Sequence, residues 1–467
     1  MVAVTSQIDA NSEAFAANRA SMMTFIERLR SLEARASEAS AKRRATFEKR
    51  GQLLPADRLH RLLDPGMPFL RLHTLANFAV DNPDREASIP GASVLVGIGF
   101  VGGVRCMIWV DDSGIAAGSA TTKTGEVHLS LQAICKRQKL PLIHCVESAG
   151  ANLLQYQTEL WSVFGGVFRN LAQMSAMGLP TMVVLHGGST AGGAYMPGMS
   201  DYVIGVKENG MAALGGAALV KAATGEVAND RELGGTEMHA SVSGCVEYLV
   251  EDDAHGLLKA REVFERLDWN RRTTAVPRRA YQPPQYPAEQ LAGAVPTDPK
   301  VPYDCREVLA RVVDGSEIEE FKPRYGASTL CAHVSITGIA CAVIGNNGPI
   351  DPNGATKVAQ FVQLCDQSDL PIIFLQNTTG YMVGTEYEQA GMIKHGSKMV
   401  QAVSTARVPK ITLYIGASFG AGNYGMCGWA YEPDFLFAWP SARTGVMAGQ
   451  SAAKTMSEVA RAGAARK

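Results

Sequence analysis

The chain has 467 residues, of which 46% are hydrophobic and only 19% are charged. A chain of that length can form one to three domains with a substantial core, and the low charge is typical of a large α/β protein. Because 44 Lys and Arg balance 45 Asp and Glu, giving a net charge of −1, we expect neither nucleic acid nor a membrane surface as a partner.

The nine cysteines are odd in number, and no two have the C-x-x-C spacing. This pattern argues against a zinc ribbon and a disulfide framework and favours a reducing compartment. The first 20 residues lack the apolar stretch of a secretory signal, and the longest apolar run, 92–104, is too short to span a bilayer. We therefore expect a cytoplasmic protein, and no metal site.

The elements follow in a regular order along the chain. Helical spacing over 14–50 and a short helix at 56–63 predict an N-terminal helical arm over residues 1–67. Apolar strands then alternate with helices across 68–275. Seven prolines within 276–303 predict a linker, and the strand–helix alternation resumes over 304–467. The predicted strands of the first half are 93–100, 106–110, 142–147, 181–185 and 202–205, and its predicted helices are 125–138 and 163–177.

The second half repeats the first. Segment 141–150 resembles 371–380 at an offset of 230, and segment 189–195 resembles 418–424 at an offset of 229. A third pair, 120–123 and 354–357, brings Lys123 and Lys357 into correspondence. Landmarks in one order at nearly one offset predict two copies of one fold.

Each copy has a turn of small residues between a strand and a predicted helix. The turns are Gly192, Gly193 and Ala194 in the first copy, and Ala421, Gly422 and Asn423 in the second. Backbone N–H groups at such a turn can bind a phosphate or an oxyanion that develops on a carbonyl. Two such sites indicate two carbonyl-bearing reactants, and therefore group transfer. The alternative interpretation is a tight strand–helix crossing that leaves no room for a Cβ atom.

Other candidate residues have weaker support. Ser418 lies in a G-x-S-x-G pattern, but none of the nine histidines follows it in the chain, which excludes the triad order of that motif. Lys123 and Lys357 could contact a phosphate or simply be solvated. His239 could touch a substrate or hydrogen-bond its own turn.

Six segments together resemble the carboxyltransferase (β) subunits of biotin-dependent acyl-CoA carboxylases, and most closely the 3-methylcrotonyl-CoA and geranyl-CoA branch. The resemblance runs from about residue 20 to 450. These segments are 189–195, 219–226, 233–244, 314–321, 377–384 and 420–427.

The resemblance implies two tandem crotonase-like domains of the ClpP/crotonase superfamily, each a β-β-α superhelix. Residues 68–275 would bind acyl-CoA and residues 304–467 would bind biotin. Carboxybiotin would release CO2, the resulting biotin enolate would take a proton from the acyl-CoA, and the CoA thioester enolate would attack CO2. Gly193 and Ala194, flanked by Gly192, would hold the thioester oxygen. Gly422 and Asn423, flanked by Ala421, would hold the ureido oxygen of biotin.

The resemblance also implies two sets of binding residues. Those for the acyl-CoA are Ser148, Ala149, Gly150, Ala151, Phe164, Thr190, Ala191, Tyr195 and Lys123. Those for biotin are Thr379, Gly380, Tyr381, Val383, Phe419 and Tyr424.

The partner would be a biotin carboxylase and biotin carrier (α) subunit, since this sequence has neither a Met-Lys-Met carrier site nor a Walker A motif. A β hexamer within an α6β6 assembly follows by analogy, with the active site between domains of two subunits. Family chains usually extend several tens of residues past the position of Lys467, so packing at the C-terminus is an open point.

The sequence does not identify the acyl group of the CoA substrate. A branched enoyl-CoA of the 3-methylcrotonyl or geranyl type, from leucine or terpenoid catabolism, is expected. Phe164 lies where a long acyl chain would need a small residue, which favours a short substrate. The alternatives are propionyl-CoA or another acyl-CoA, a decarboxylase α subunit, a crotonase-type isomerase or hydratase, and a silent scaffold subunit.

Overall fold

The computed structural model describes residues 1–150, 158–273, 275–298 and 300–465. The chain forms two compact units. One, here the N-unit, comprises Arg30–Thr274, and the other, the C-unit, comprises Met1–Leu29 with Ala275–Lys467. The domain boundaries expected from the sequence stay predictions.

The strands are β1 (Val2–Ala3), β2 (Leu70–Arg71), β3 (Val94–Val101), β4 (Val104–Asp111), β5 (Leu142–Ser148), β6 (Thr181–Thr190), β7 (Tyr202–Val206), β8 (Met211–Ala213), β9 (Tyr248–Val250), β10 (Glu317–Glu320), β11 (Thr329–Ile336), β12 (Ile339–Asn346), β13 (Ile372–Thr378), β14 (Lys410–Phe419), β15 (Phe435–Ala438) and β16 (Arg443–Gly445).

The α-helices are α1 (Glu13–Ala41), α2 (Arg44–Lys49), α3 (Pro55–Leu62), α4 (Thr122–Gln138), α5 (Thr158–Ala176), α6 (Tyr195–Met199), α7 (Ala217–Thr224), α8 (Asp230–Gly234), α9 (Thr236–Met238), α10 (Asp253–Leu267), α11 (Leu291–Ala294), α12 (Arg306–Leu309), α13 (Pro352–Gln367), α14 (Thr385–Gln389), α15 (Met392–Thr405), α16 (Gly420–Gly425) and α17 (Gly449–Ala465). No helix in the described ranges is both long enough and apolar enough to cross a membrane.

The N-unit contains an eight-stranded sheet in the order β2-β3-β4-β5-β6-β7-β9, with β8 paired to the end of β6. Strands β3 and β4 form an antiparallel hairpin, and β4 to β7 run parallel. Parallel strands need crossover connections, and helices α4 and α5 supply them. Because such strands are covered on both faces, β4, β5 and β6 are almost continuously apolar and buried.

The C-unit repeats this plan for seven strands, since β10 to β16 correspond to β2 to β8, while β9 and β1 each extend one sheet only. Its sheet has the order β1-β10-β11-β12-β13-β14-β15, with β16 paired to the end of β14. The same irregularity also recurs, because register shifts just before Ser148 pairs with Ser189 and just before Thr378 pairs with Ser418. The predicted α/β fold and the duplication are therefore confirmed.

Most of the predicted elements are confirmed within a few residues. The predicted strands of the first half correspond to β3 to β7, and the predicted helices to α3, α4 and α5. The proline-rich segment contains the short helix α11, and Val295 just after it is fully buried in the C-unit core. Residues 2–3 add a strand to the C-unit sheet, beside β10.

The correspondence of Lys123 with Lys357 is wrong. The caps of the two equivalent helices are Thr121 and Asp351, at the offset of 230. That alignment puts Val127, not Lys123, at the position of Lys357. Lys357 is accordingly a buried core side chain, and burial lowers its pKa, whereas Lys123 is partly exposed and bonds to Glu126.

The strand-to-helix turn begins in both copies with a left-handed residue. Ala191 has φ 53° and Gly420, its counterpart at the offset of 229, has φ 56°. An L-residue in this conformation costs about 1–2 kcal/mol, whereas glycine adopts it freely. The backbone of Ala191 is therefore strained, whereas that of Gly420 is not.

We predict that Ala191→Gly raises the free energy of unfolding by about 1 kcal/mol, because glycine removes that strain. Gly420→Ala should lower it by at least as much, since its Cβ would also lie 3.3 Å from the Val446 carbonyl oxygen. Denaturant titration of both variants measures the two shifts. Equal effects of the same sign would contradict the assignment of strain.

Candidate active site

The first turn follows the carboxyl end of β6. Residues Ala191–Ala194 form one turn of 3-10 helix that runs directly into α6. Gly192 is exposed, while Gly193 and Ala194 are half-buried. A Cβ at Gly193 would lie 3.0 Å from Ser189 Oγ, so the turn has little space beneath it.

The second turn follows the carboxyl end of β14 and continues as α16. Ala421 is exposed, Gly422 is buried and Asn423 is half-buried. A Cβ at Gly422 would lie 2.8 Å from Gly380 Cα, so backbone packs against backbone here. Gly422 therefore lies at a tight crossing that leaves no room for a Cβ atom, as the alternative interpretation of the turn expected. A binding role for the exposed side of the turn is compatible with this packing.

A neighbouring loop supports each turn in the same way. Gly150 and Gly380 both have positive φ and approach the carbonyl oxygens of Thr190 and Phe419, at 3.6 and 3.7 Å from where a Cβ would stand. In both copies the glycine N–H donates to a hydroxyl two residues earlier, Gly150 to Ser148 Oγ at 3.1 Å and Gly380 to Thr378 Oγ1 at 3.2 Å. The two predicted sites therefore have the same backbone architecture.

A pocket of about 500 Å³ opens beside the second turn. Three of the residues predicted to bind biotin or to form the turn line it, namely Tyr381, Val383 and Ala421. The rest of its wall is mainly apolar and comes from the loop before α14 and from α15. Those lining residues are Met382, Glu388, Met392, Ile393, Gly396, Ser397, Val400 and Gln401.

A second pocket, of about 410 Å³, lies in the N-unit. Ser148, predicted to bind substrate, lines it together with Glu147 and Gly188, which places it at the ends of β5 and β6. Its opposite wall carries two exposed arginines, Arg43 and Arg50. The pocket is therefore polar, with positive charge at its edge.

Glu147 belongs to a buried ion network below that pocket. Arg58, which is fully buried, donates to Glu147 at 2.5 Å and to Asp253 at 2.9 Å. Asp253 also bonds to His186 Nδ1 at 2.8 Å. Burial alone would raise the pKa of Asp253, but His186 and Arg58 lower it to about 2. Burial and Arg58 lower the pKa of His186.

The other residues predicted to bind substrate lie at varied places. Thr190 is half-buried, Ala149 and Ala191 are exposed, and Ala151 lies outside the described residues. Tyr195 is exposed and packs edge-on against Phe168, with ring centroids 5.5 Å apart.

Two predicted substrate residues lie on helices of the N-unit. Phe164 is half-buried, and its ring covers Gly125 of α4, where a Cβ would come within 2.6 Å of Cζ. Lys123 bonds to Glu126 at 2.6 Å. Neither residue lines the two pockets described above.

The remaining residues predicted to bind biotin divide into buried and exposed ones. Phe419 is buried beneath the turn, near Gly445, and Gly380 is buried against Gly422. Thr379 is exposed. Tyr424 is about half exposed, and its ring lies 5.6 Å from that of Tyr431.

Several neighbours of the turns were not found from the sequence. Phe168 lies 3.6 Å from where a Cβ on Gly192 would stand, and Arg58 is 89 residues away from Glu147. Nothing local in the sequence indicates such contacts. The spacing of four residues between Phe164 and Phe168 does, however, place both on one face of α5.

His239 hydrogen-bonds its own turn, which is one of the two alternatives given by the sequence. Its Nδ1 bonds to Ser243 Oγ at 2.6 Å and its Nε2 to the Ala212 carbonyl oxygen at 2.7 Å. Among the described residues, no three His, Cys, Asp or Glu side chains come together in a way that could hold a metal ion.

Residues 47–467 match the family model described as the carboxyl transferase domain. A probable biotin-dependent acyl-coenzyme A carboxylase β2 subunit of Mycobacterium tuberculosis is 46% identical, over 89% of this chain and 77% of that protein. The 3-methylcrotonyl-coenzyme A carboxylase β1 subunit of the same organism is 43% identical, over 92% and 80%. The geranyl-CoA carboxylase β subunit of P. aeruginosa superposes with a TM-score of 0.93 at 48% identity, covering 98% of this chain and 86% of that one.

The chain therefore belongs to the carboxyl transferase family. It is an enzyme subunit of the carboxyltransferase (β) type found in biotin-dependent acyl-CoA carboxylases. The resemblance noted from the sequence motifs is confirmed.

We predict that Arg58→Met lowers the free energy of unfolding at pH 7.5 by about 3–5 kcal/mol, because it removes the buried cation shared by Glu147 and Asp253 and leaves Glu147 with the exposed Arg50 at 3.9 Å. Arg61→Met, an exposed position on the same helix, should change it by less than about 0.5 kcal/mol. Chemical denaturation compares the two variants.

The same pair should differ in pH dependence. In the native protein the pKa of Asp253 is depressed to about 2, so its stabilisation is present above about pH 4 and is lost as the pH falls towards 2. Without Arg58, one of the groups that lower the pKa of Asp253, this carboxylate binds a proton more readily. The deficit of Arg58→Met should therefore shrink from pH 7.5 to pH 5, and a deficit that grows instead would contradict this network.

Proposed function

We propose that this chain transfers a carboxyl group from carboxybiotin to a branched enoyl-CoA of the 3-methylcrotonyl or geranyl type. One observation carries the proposal: the same strand-to-helix turn occurs in both units, and an apolar pocket opens beside the second one. A reaction between two carbonyl-bearing molecules needs two such places, whereas hydrolysis or isomerisation of one acyl-CoA needs only one.

The first turn is proposed to bind the thioester. N–H groups of Gly193 and Ala194 would donate to its oxygen, which becomes anionic as the enolate forms. Donors fixed in place before the reaction can each contribute about 3–4 kcal/mol to stabilising such a charge. The arginines at the edge of the N-unit pocket, Arg43 and Arg50, are suited to the phosphates of CoA.

The second turn is proposed to bind carboxybiotin through its ureido oxygen. The 500 Å³ pocket fits a small bicyclic group with an aliphatic arm, since its wall is mostly apolar and Tyr381 stands beside Ala421. When bound, carboxybiotin supplies the CO2 that the acyl-CoA enolate attacks. The task of Gly422 and Asn423 is to hold the ureido oxygen, and the task of the pocket is to keep water away.

The chain is proposed to act with a biotin-carrying α subunit, in an α6β6 assembly built on a β hexamer. The acyl-CoA turn of one copy would then work with the biotin turn of another. Large apolar side chains stand exposed in both units, including Trp161 at 66%, Leu219 at 58% and Trp429 at 66%. Exposed apolar surface of this kind is typical of a protein interface.

The proposal is tested by reconstitution with a biotinylated carboxylase partner, ATP and bicarbonate. 3-Methylcrotonyl-CoA, geranyl-CoA and propionyl-CoA are offered separately, and the products are identified by mass. Carboxylation of a branched enoyl-CoA is expected. Carboxylation of propionyl-CoA alone would overturn the proposed substrate class, and turnover of an enoyl-CoA without biotin would overturn the reaction.

Two glycine substitutions separate the proposed sites. Gly193→Val should abolish carboxylation of acyl-CoA, because its side chain would crowd Ser189 and the thioester oxygen. The Gly193→Val variant should still decarboxylate carboxybiotin that is not attached to a carrier. Gly422→Ala should abolish the decarboxylation of carboxybiotin, and with it the carboxylation of acyl-CoA, but should spare acyl-CoA binding. Alanine suffices here, since even a Cβ meets Gly380 at 2.8 Å.

Each variant serves as the control of the other. Circular dichroism and melting temperature establish that both are folded, and calorimetry measures acyl-CoA affinity. An unchanged kcat/KM in Gly193→Val would sink the first assignment. Loss of acyl-CoA binding in Gly422→Ala would mean that the two sites are reversed.

A further inference from the structure

We propose that Gln376, Ser418 and Tyr414 are positioning residues, which hold Asn423 and so fix the second turn for its ligand. This inference rests on the proposed function, in which that turn binds the ureido oxygen of carboxybiotin. The three residues are buried below the turn, with exposed fractions of 0% for Gln376 and Ser418 and 7% for Tyr414.

The hydrogen bonds form a chain with a fixed direction. Gln376 Nε2 donates to the Met426 carbonyl oxygen at 2.6 Å, which turns its Oε1 towards Ser418. Ser418 Oγ donates to that Oε1 at 2.5 Å. Since its hydrogen is used, Ser418 Oγ can only accept from Asn423 Nδ2, at 2.7 Å.

Asn423 thereby has both amide hydrogens engaged. The second one meets the Tyr414 hydroxyl at 2.9 Å. On the other side, the Asn423 backbone carbonyl accepts the Gly428 N–H at 2.8 Å. A Cβ on Gly428 would collide with the Asn423 amide, so that glycine is also required for the fit. The Asn423 side chain is thus held from two sides, and its Nδ2 hydrogens are not free to bind a ligand.

The first copy has no such chain at the equivalent positions. Register places Val146 where Gln376 lies and Leu185 where Tyr414 lies, and the offset of 229 places Ala194 where Asn423 lies. Ser189, the counterpart of Ser418, is buried and its Oγ has no partner among the described residues. One turn is therefore tied by side chains, while the other is supported by apolar packing.

This difference matches the two proposed ligands. A carboxybiotin arrives on a moving carrier, so its binding turn must already be in place when it enters. Preorganised donors need no rearrangement at the moment of reaction. The polar chain supplies that rigidity only to the turn beside the 500 Å³ pocket, through Asn423.

Ser418→Ala tests the role of the chain, and Ser189→Ala is its matched control. The first loses a donor and an acceptor, whereas the second loses a hydroxyl that has no partner. Tyr414→Phe is a second test variant, which removes one acceptor of Asn423 and leaves the Gln376–Ser418 bond intact. Three properties are measured on the full chain: hydrogen exchange of the amides at 420–424, affinity for free biotin and affinity for the acyl-CoA.

We expect Ser418→Ala and Tyr414→Phe to speed exchange at 420–424 and to weaken biotin binding by about tenfold, as for one lost hydrogen bond. Acyl-CoA affinity should stay at the wild-type value in both, and Ser189→Ala should match wild type throughout. In steady state the carboxybiotin KM should change and the acyl-CoA KM should not.

Wild-type exchange and biotin affinity in both test variants would overturn the positioning role. Equal losses for both ligands, together with a lower melting temperature, would also overturn it, because they indicate general destabilisation. Failure of the wild-type chain itself to bind biotin would instead refute the proposed function. Faster exchange at 420–424 with wild-type biotin affinity would also refute the inference. It would mean that the hydrogen bonds stabilise the turn but do not position it for biotin.

Discussion

The structure depends on a close approach of backbone to backbone at the carboxyl end of a central parallel strand. Gly422 and Gly380 come so near that no side chain fits between them. Three features produce this geometry, and all three recur in the N-unit. They are a register shift between the two strands, a left-handed residue at the start of the turn, and a serine or threonine hydroxyl at the end of the neighbouring strand. The turn is thus exposed on one side and rigid on the other.

The two copies reach this rigidity by different means. In the C-unit, a directed chain of hydrogen bonds from Met426 to Tyr414 holds Asn423. In the N-unit, apolar residues lie at the same positions, and a buried ion network centred on Arg58 supports the end of β5 instead. The backbone of the site is therefore the same in both copies, while the side chains below it differ, which agrees with the proposal that the backbone makes the ligand contacts.

Much of this could be predicted from the sequence, because the informative features are local. Apolar runs gave β3 to β7, prolines and glycines marked the turns, and two segments at one offset revealed the repeat. The pairing of Lys123 with Lys357 was wrong because it followed the similarity of two four-residue segments. The helix caps, Thr121 and Asp351, are the features that define the equivalent positions. Long-range partners such as Arg58 and Glu147, or Gln376 and Ser418, have no local signal. Phe164 has its ring against Gly125, and its expected limit on the acyl chain stays a prediction.

The central claim is that backbone N–H groups of two equivalent turns bind the two reacting carbonyl oxygens. The most direct measurement is a structure of the β subunit assembly with an unreactive acyl-CoA analogue and biotin bound together. The account predicts the thioester oxygen within about 3 Å of the Gly193 and Ala194 nitrogens, and the ureido oxygen equally near those of Gly422 and Asn423. A thioester or ureido oxygen held by side chains elsewhere, with the turns facing empty solvent, would contradict it.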